Sequence, residues 1–115
     1  MMDSGDLVTI VVPSYQGESA LPQLLGALAG QTRRPDELII VESRINAAIR
    51  RVVRQFESSG DAFPLRLLPN LRGSIPAALN LGVAAARGAT IIRLDVRALP
   101  APDYVERCLA ALDAS

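Results

Sequence analysis

The chain has 115 residues, half of them apolar, and its twelve basic residues balance twelve acidic ones. This length predicts one domain over residues 1–115, and the neutral balance argues against a nucleic-acid surface. All of the basic residues are arginines, which excludes lysine Schiff-base and P-loop chemistry. The absence of histidine excludes a Ser-His-Asp triad, a Cys-His pair and histidine metal ligands.

No apolar run approaches the roughly 18 to 20 residues that a membrane span needs. The start of the chain, residues 1–6, is acidic and polar, and it lacks the basic region and apolar stretch of a secretion signal. We therefore expect a cytoplasmic protein without a membrane span. The single cysteine, Cys108, cannot form an internal disulfide, and its place on an apolar helix stripe favours a buried structural thiol over a nucleophile.

The first third of the chain predicts two strands and a helix. A β-branched run at residues 7–13 predicts a strand that is covered on both faces. A helix should follow, with Ser19 as its N-cap, Pro22 in its first turn, and a buried face made of Ala20, Leu21, Leu24, Leu25 and Leu28. Residues 37–42 predict a second buried strand, which ends on the acid Glu42.

The middle of the chain predicts a second helix and a third strand. Asn46 is a typical helix N-cap, because its side chain can accept a hydrogen bond from the first turn. The inward stripe of this helix is predicted to be Ile49, Val52, Val53 and Phe56, and a solvated face is predicted for Arg50, Arg51 and Arg54. Residues 64–69 predict a short third strand, whose two prolines favour a sheet edge.

The last third predicts a third helix, a fourth strand and a final helix. Ser74 should cap the third helix and Gly88 should end it in a left-handed conformation. Apolar spacing assigns to its buried face Ile75, Leu79, Val83 and Ala86, and close packing on the sheet is favoured by Ala77, Ala78, Gly82, Ala84 and Ala85. Residues 89–95 predict the fourth strand. Pro102 opens the last helix, whose inward residues are Val105, Cys108, Leu109 and Leu112.

The order of elements is therefore β-α-β-α-β-α-β-α. This alternation predicts an α/β fold, a Rossmann-like open, mainly parallel sheet of about four strands with helices on both faces. In such sheets ligands bind at the carboxyl ends of the strands, near the reversal in strand order. The segments that follow the strands are residues 13–15, 42–43, 70–73 and 95–97. We expect the functional chemistry at that edge.

Several residues at this edge are candidate ligand contacts. The turn at residues 14–18 has a single glycine, so no nicotinamide or flavin cofactor is expected. Glu42 is either an acceptor for a base or ribose or a solvated strand-end acid, and Arg72 beside a glycine turn is placed to reach a diphosphate. Asp95 carries the most weight, because a carboxylate that ends a buried strand is costly unless it serves a metal or a ligand hydroxyl. The alternative is an acid that caps the next turn. Arg97 cannot coordinate a cation and is able to pair with Asp95.

Motifs along nearly the whole chain resemble one enzyme family. Residues 8–18 read Val-Thr-Ile-Val-Val-Pro-Ser-Tyr-Gln-Gly-Glu, and residues 35–43 read Pro-Asp-Glu-Leu-Ile-Ile-Val-Glu-Ser. The later pieces are Asn70, Gly73, Asn80–Gly82, Ala86–Gly88, Arg93–Asp95 and Pro102–Val105. Their order and spacing resemble the front half of family 2 glycosyltransferases, enzymes of the GT-A fold, and in particular members that make bacterial polysaccharides. Such enzymes move a sugar from a nucleotide-sugar donor to an acceptor.

The resemblance implies a nucleotide-diphospho-sugar as the donor substrate, with an acceptor that the chain does not specify. The resemblance implies six cofactor-binding residues. Pro13, Tyr15 and Glu18 would lie beside the nucleoside, and Glu42 would contact the base. Arg72 would lie near the donor, and Asp95 would contact the donor ribose and the metal. The metal would be Mg²⁺ or Mn²⁺, with Asp95 as the first acid of an Asp-x-Asp motif. Arg97 stands where the second metal ligand belongs, and Ser-Arg-Ile-Asn at residues 43–46 replaces the usual loop, so metal dependence is in question.

Family members carry the acceptor pocket and the catalytic base in a later segment. The resemblance therefore implies a donor-binding domain that is incomplete relative to a full glycosyltransferase, and no catalytic residue is assigned. A second hypothesis is a non-catalytic interaction module on the same fold, in which an Asp95–Arg97 pair closes the site and exposed apolar surface drives self-association, as in a homodimer. A flavodoxin-like or receiver-like domain is disfavoured, because the acidic cluster after the first strand and the lysine near the end of the sheet are absent.

Overall fold

A computed structural model describes residues 7–113. The expectation for the polar start at residues 1–6 lies outside the described residues. The described chain alternates strands and helices as the sequence predicts, with one added turn of 3-10 helix at Gly17–Ser19. The strands are β1 Val8–Ser14, β2 Glu37–Glu42, β3 Leu65–Pro69 and β4 Thr90–Arg93, and the helices are α1 Leu21–Ala29, α2 Ala47–Glu57, α3 Ile75–Ala85 and α4 Tyr104–Asp113.

The four strands form one parallel sheet in the order β3-β2-β1-β4, which confirms the predicted α/β fold and places β3 at an edge. The chain moves from β1 to β2 and β3 in one direction and then returns to the far side of β1. The reversal in strand order therefore lies between β1 and β4, where Val11 is in register with Arg93. Open α/β sheets bind ligands at the carboxyl ends of the strands beside such a reversal.

Two apolar clusters cover the two faces of the sheet. The larger one joins β1 residues such as Ile10 and Val12 and β2 residues such as Ile40 to α1, α2 and α4. The smaller one joins Ile39 and Val41 to α3. Complete burial of a Leu or Ile side chain stabilises the fold by about 1.5–3 kcal/mol, so the larger cluster contributes more from apolar burial than the smaller one. No helix of residues 7–113 is long and apolar enough to cross a membrane.

Of the three helix N-cap residues predicted from the sequence, the structure confirms two. Asn46 accepts a hydrogen bond from the Ile49 amide (2.9 Å), and Ser74 accepts one from the Ala77 amide (3.2 Å), which confirms both as N-caps. The prediction for Ser19 is wrong. Ser19 lies in the 3-10 turn, and that turn runs directly into α1 through Ala20, whose helical backbone leaves no side-chain cap.

The buried face of α3 differs from the one that apolar spacing predicts. Ile75 and Val83 are more than half exposed, whereas Ala78 and Gly82 are buried against the sheet. A Cβ atom on Gly82 would lie 2.3 Å from Cγ1 of Val11, so the helix backbone sits too close to β1 for any larger residue. Two of the five small residues predicted to pack closely, Ala78 and Gly82, therefore set the packing face, whereas Ala84 is exposed. The larger side chains of Ile75 and Val83 turn outward.

The segment after α3 also departs from expectation. Gly88 does not adopt a left-handed conformation, because α3 already ends at Ala85 and the chain continues extended. Gly88 is instead required for close approach, since a Cβ there would lie 2.6 Å from the Leu7 carbonyl oxygen. In α4, Val105 is buried and Cys108 is half-buried against the main core, while Leu112 is exposed and not inward.

Candidate functional site

A cleft opens at the carboxyl end of the sheet, beside the strand-order reversal. It has a volume of ≈ 210 Å³, and all four strand ends and the start of α3 contribute to it. Its lining residues are Pro13, Ser14, Tyr15, Ser43, Asn70, Gly73, Ser74, Ile75, Ala78, Arg93, Asp95, Val96 and Arg97. The edge that the sequence predicts to be functional is therefore a concave surface made from every loop that follows a strand.

Glu42 lies beneath this cleft and is completely buried. One carboxylate oxygen, Oε1, accepts hydrogen bonds from the Ser14 hydroxyl (2.8 Å) and the Gly17 amide (2.9 Å). The other, Oε2, accepts from the Gln16 amide (3.0 Å) and the Arg44 amide (2.8 Å). Glu42 is thus not the solvated strand-end acid of the alternative reading. Its four acceptor positions are used within the chain, on the loops after β1 and β2.

The pKa of Glu42 records the same contacts. Burial alone raises the pKa of this carboxyl, but the four hydrogen bonds favour the charged form more strongly and hold the pKa below its ordinary value of 4.5. The carboxylate is therefore ionised at neutral pH. It acts as an anchor for backbone amides, because each of its oxygens meets two donors at normal hydrogen-bond distance.

The turn that Glu42 anchors has a backbone that ordinary residues rarely adopt. Gln16 has φ of 51°, in the left-handed region. Gly17 follows it at a point where a Cβ atom would lie 2.2 Å from the Ser14 hydroxyl oxygen and 2.8 Å from a methyl group of Val96. The turn after β1 consequently packs directly against the segment after β4. The Glu42 carboxylate, the turn that it anchors and the close packing at Gly17 together hold the two sides of the cleft next to one another.

Of the three residues predicted to contact the nucleoside, two line the cleft and one does not. Pro13 is buried and Tyr15 is 61% exposed, and both line the cleft. Glu18 does not line it and is half-buried. Its Oε1 accepts from the Asn46 side-chain amide (3.3 Å), and its Oε2 is buried with no hydrogen-bond partner among the described residues. Glu18 therefore contacts the start of α2.

Asp95 lines the cleft but does not end a buried strand. β4 ends at Arg93, and the Asp95 side chain is exposed. Its Oδ1 accepts a hydrogen bond from the Arg97 amide (2.8 Å), which is the turn-capping role of the alternative reading. The sequence argument from a costly buried carboxylate is wrong for this reason. What remains is an exposed acid in the wall of the cleft, held by its own turn.

The donor set around Asp95 does not fit a divalent cation. Mg²⁺ and Mn²⁺ prefer several oxygen ligands, and residues 7–113 contain no group of three or more acidic, histidine or cysteine side chains that could hold a metal. Asp95 is the single carboxylate among the cleft-lining residues, and the two other charged side chains there, Arg93 and Arg97, are cations. An ion pair between the side chains of Asp95 and Arg97 is likewise not formed within the described chain.

Arg72 lies outside the cleft. It lines a separate surface cavity of ≈ 450 Å³ between the end of β3 and α3, together with Leu71 and Leu81. The turn before α3 explains this position. Asn70 is buried, donates from its side chain to the Ser74 carbonyl (2.9 Å), and brings Gly73, in a left-handed conformation, to the cleft edge. The exposed Arg72 therefore lines this separate cavity and does not line the cleft that contains Asp95.

The sequence analysis places Asn70 in a segment at this edge and Arg93 in a motif of the resemblance, but it assigns neither residue a role in ligand binding. The signal for Arg93 is present in the sequence, because Ile92, Leu94 and Val96 are buried and the residues between them alternate toward the cleft. Arg93 therefore shares the cleft side of β4 with Asp95. Asn70 gives no comparable signal, since a polar residue in a turn is usually solvated.

Comparison with known proteins gives one family and several relatives. The family model for glycosyl transferase family 2 matches residues 9–115. Validoxylamine A glucosyltransferase from Streptomyces hygroscopicus subsp. limoneus is 30% identical over 109 residues, which cover 91% of this chain and 23% of the relative. Undecaprenyl-phosphate 4-deoxy-4-formamido-L-arabinose transferase from Pseudomonas fluorescens (strain Pf0-1) is 27% identical over 106 residues, which cover 90% of this chain and 31% of the relative. The chain thus spans about a quarter to a third of these proteins.

The fold is also shared with solved structures. The crystal structure of S. aureus TarS 1-349 in complex with UDP superposes with a TM-score of 0.79 at 18% identity, covering 94% of this chain and 32% of that one. A further crystal structure of S. aureus TarS gives a TM-score of 0.76 at 19% identity. At these identities the likeness establishes a common architecture, and it supports the GT-A interpretation of the sheet.

Proposed function

The chain belongs to glycosyltransferase family 2, and from this membership we propose that it forms the donor-binding part of an enzyme that transfers a sugar from a nucleotide-diphospho-sugar to an acceptor hydroxyl. The observation that carries the proposal is the cleft at the strand-order reversal, which all four strand ends line. Open α/β sheets bind nucleotides at this place. The relatives are named as sugar transferases, which supports the same reaction class.

In this proposal the loop after β1 binds the nucleoside. Tyr15 exposes most of its ring at the cleft and offers a flat apolar surface to a base. Pro13 forms the wall beside it. Glu42 acts from below as a positioning residue, because it fixes the loop through four hydrogen bonds and has no acceptor position left for a ligand. This changes the role that the resemblance implies for Glu42, from base contact to support of the loop.

In this proposal the Asp95 carboxylate accepts a hydrogen bond from a ribose hydroxyl of the nucleotide-sugar. Its Oδ2 is not used in the turn that its Oδ1 caps, and a carboxylate oxygen is a strong acceptor for a ribose hydroxyl. The transfer itself requires that an acceptor hydroxyl attack the sugar and lose its proton to a base. The proposal assigns donor binding to this chain and assigns no catalytic base to it. Glu18 and Arg72 lie outside the cleft and have no part in the proposed donor site.

Nucleoside diphosphates provide the test. The TarS structure is described as a complex with UDP, so we would measure thermal unfolding of the chain with UDP and, separately, GDP. A ligand at 100 times its Kd stabilises the folded state by about 2.7 kcal/mol, which raises Tm by roughly 10 °C for a domain of this size. Asp95→Ala and Tyr15→Ala should reduce the rise, and the matched control Asp113→Ala, at the end of α4, should keep it. No rise with either nucleotide would contradict the proposal.

A second candidate function rests on exposed apolar surface. Large apolar side chains on α3 and β4 are exposed to solvent, at 54% for Ile75, 42% for Leu81, 51% for Val83 and 38% for Ile91. Exposed apolar side chains of this kind are suited to self-association as a homodimer. In this reading the chain is a non-catalytic interaction module. Sedimentation of the chain at several concentrations separates the two: a monomer that binds a nucleoside diphosphate supports the donor domain, and a dimer that binds none supports the module.

A further inference from the structure

Two arginines on the cleft have side chains without a partner among residues 7–113. Arg93 and Arg97 both line the cleft and are exposed. Within residues 7–113 neither guanidinium group takes part in a hydrogen bond or an ion pair, whereas Arg33 and Arg66 do. Two unpaired cations that share one cleft create a local positive potential, since the acid between them supplies a single opposing charge. Such a potential favours an anion with more than one negative charge.

The fold determines the position of both arginines. Arg93 is in register with Val11 of β1, and Val11 packs against Gly82 of α3. Arg93 therefore lies on the sheet face that carries α3, and it lines the cleft together with Ser74 and Ile75 at the start of that helix. Arg97 follows after the turn in which its own amide donates to Asp95. Both arginines thus line the cleft from the segment at the end of β4, and they flank Asp95 in the sequence.

The chemistry of these groups suits a diphosphate better than a metal. The guanidinium group is always charged, cannot coordinate a cation, and offers paired N–H donors that match phosphate oxygens. A second metal ligand at position 97 would need a side-chain oxygen or nitrogen that can coordinate a cation, and the residue there is an arginine. The start of α3, with Ser74 and Ile75 on the cleft, adds the partial positive charge of a helix amino end to the same region.

We propose that Arg93 and Arg97 bind the diphosphate of the donor in place of a divalent cation, so that donor binding by this chain is independent of metal. The inference rests on the proposed function and adds the identity of the groups that neutralise the donor. Each phosphoryl group of the donor carries a negative charge, and the proposal assigns one guanidinium group to bind each of them. The same two groups would stabilise the nucleoside diphosphate that leaves when the bond from the sugar to its oxygen breaks.

Calorimetric titration of the chain with UDP tests this inference directly. The titration is made in EDTA, and then with Mg²⁺ and with Mn²⁺ in excess of the nucleotide. We expect binding in EDTA, with a Kd that changes less than about threefold on addition of either metal. Binding that requires a metal would overturn the inference and leave the proposed function standing. Absence of UDP and GDP binding both with and without metal would overturn the proposed function itself.

Variants of the two arginines distinguish a role in binding the diphosphate from a role in maintaining the structure of the cleft. A hydrogen bond to a charged group contributes about 1.5–3 kcal/mol, so Arg93→Gln and Arg97→Gln should each weaken UDP binding by roughly tenfold or more. Both should leave the weak binding of uridine unchanged, since uridine has no phosphate. Arg50→Gln, on the solvated face of α2, is the matched control and should bind UDP as the original chain does. Equal loss of UDP and uridine binding in the cleft variants would mean a structural role and would overturn the inference.

One substitution should reverse the metal preference. Arg97→Asp restores a second carboxylate two residues after Asp95, so UDP binding by this variant should be weak in EDTA and should strengthen with Mn²⁺. The increase should exceed any metal effect in the original chain by roughly tenfold. A variant whose UDP affinity stays high in EDTA would show that position 97 does not contact the diphosphate, which would overturn the role of Arg97. Circular dichroism of each variant confirms that it is folded.

Discussion

Replacement of Glu42 by glutamine changes one buried carboxylate without changing its shape. The carboxylate accepts four hydrogen bonds, three of them from backbone amides, and it is completely buried. The glutamine side chain keeps one oxygen and places an NH₂ group at the other position. In the better of its two orientations the amide oxygen faces the Gln16 and Arg44 amides, and the NH₂ group faces the Ser14 hydroxyl and the Gly17 amide. The hydroxyl can rotate to accept, but the Gly17 amide cannot.

The magnitude follows from that count of donors. A buried donor that is left without an acceptor costs about 1–3 kcal/mol, and the remaining hydrogen bonds become weaker because the acceptor is neutral. We therefore expect Glu42→Gln to lower the free energy of unfolding by about 2–3 kcal/mol. Glu42→Ala leaves all four donors without their acceptor and should cost about 4–5 kcal/mol, at the upper end of single substitutions. Domains of this size have a total stability of about 5–15 kcal/mol.

Urea unfolding, followed by circular dichroism, measures this difference. The m-value should stay constant, because the surface exposed on unfolding does not change, and the midpoint should fall. Glu57→Gln is the matched control, since Glu57 is exposed at the end of α2, and it should change stability by less than about 0.5 kcal/mol. If Glu42→Gln is as stable as the control, the carboxylate does not hold the turn after β1 and the reasoning fails.

The same carboxylate and two glycines give the remaining predictions. The pKa of Glu42 is lower in the folded chain than its ordinary value of 4.5, so its contribution to stability is present above about pH 4.5 and is lost as pH falls through the folded pKa. The difference in unfolding free energy between the original chain and Glu42→Gln should therefore shrink when urea titrations are repeated toward pH 3, and a constant difference would contradict this. Gly82→Ala should lower stability by about 1–3 kcal/mol, because its Cβ would lie 2.3 Å from a Val11 methyl group. Gly26→Ala, in open space on α1, should raise it by about 0.5–1 kcal/mol, and thermal unfolding that gave both variants the same sign would refute the packing argument.

The order of elements could be predicted because each rests on a local pattern. The β-branched runs of β1 and β2 and the caps Asn46 and Ser74 act over a few residues, and the structure confirms them. The packing face of α3 could not be predicted in the same way. Apolar spacing selects Ile75 and Val83, yet the distance between α3 and β1 is set by Gly82, and that distance is a property of the assembled sheet.

The site shows the same division between pattern and assembly. The edge at which ligands should bind follows from the alternation of strands and helices alone, and the cleft is at that edge. The role of Glu42 does not follow, because it depends on where the amides of Gln16, Gly17 and Arg44 lie once two loops meet. The burial of Asp95 was predicted wrongly, because the strand was extended by two residues beyond Arg93. Ile91 and Arg93 lie on the same side of this segment as Asp95 and are exposed as well, so β4 is buried on one face only.

The alternation at the end of β4 has a consequence for the reaction. Ile92, Leu94 and Val96 are buried, and the side chains at the alternate positions 93, 95 and 97 are exposed and line the cleft. Two carboxylates on alternate positions of this segment would repel one another and the donor, and only a bound cation would offset that repulsion. This chain instead places a cation on each side of Asp95, at Arg93 and Arg97. In the proposed donor site the excess positive charge of the two arginines would be available to the diphosphate. The alternation sets where these side chains lie, and their residue types set the sign of the charge.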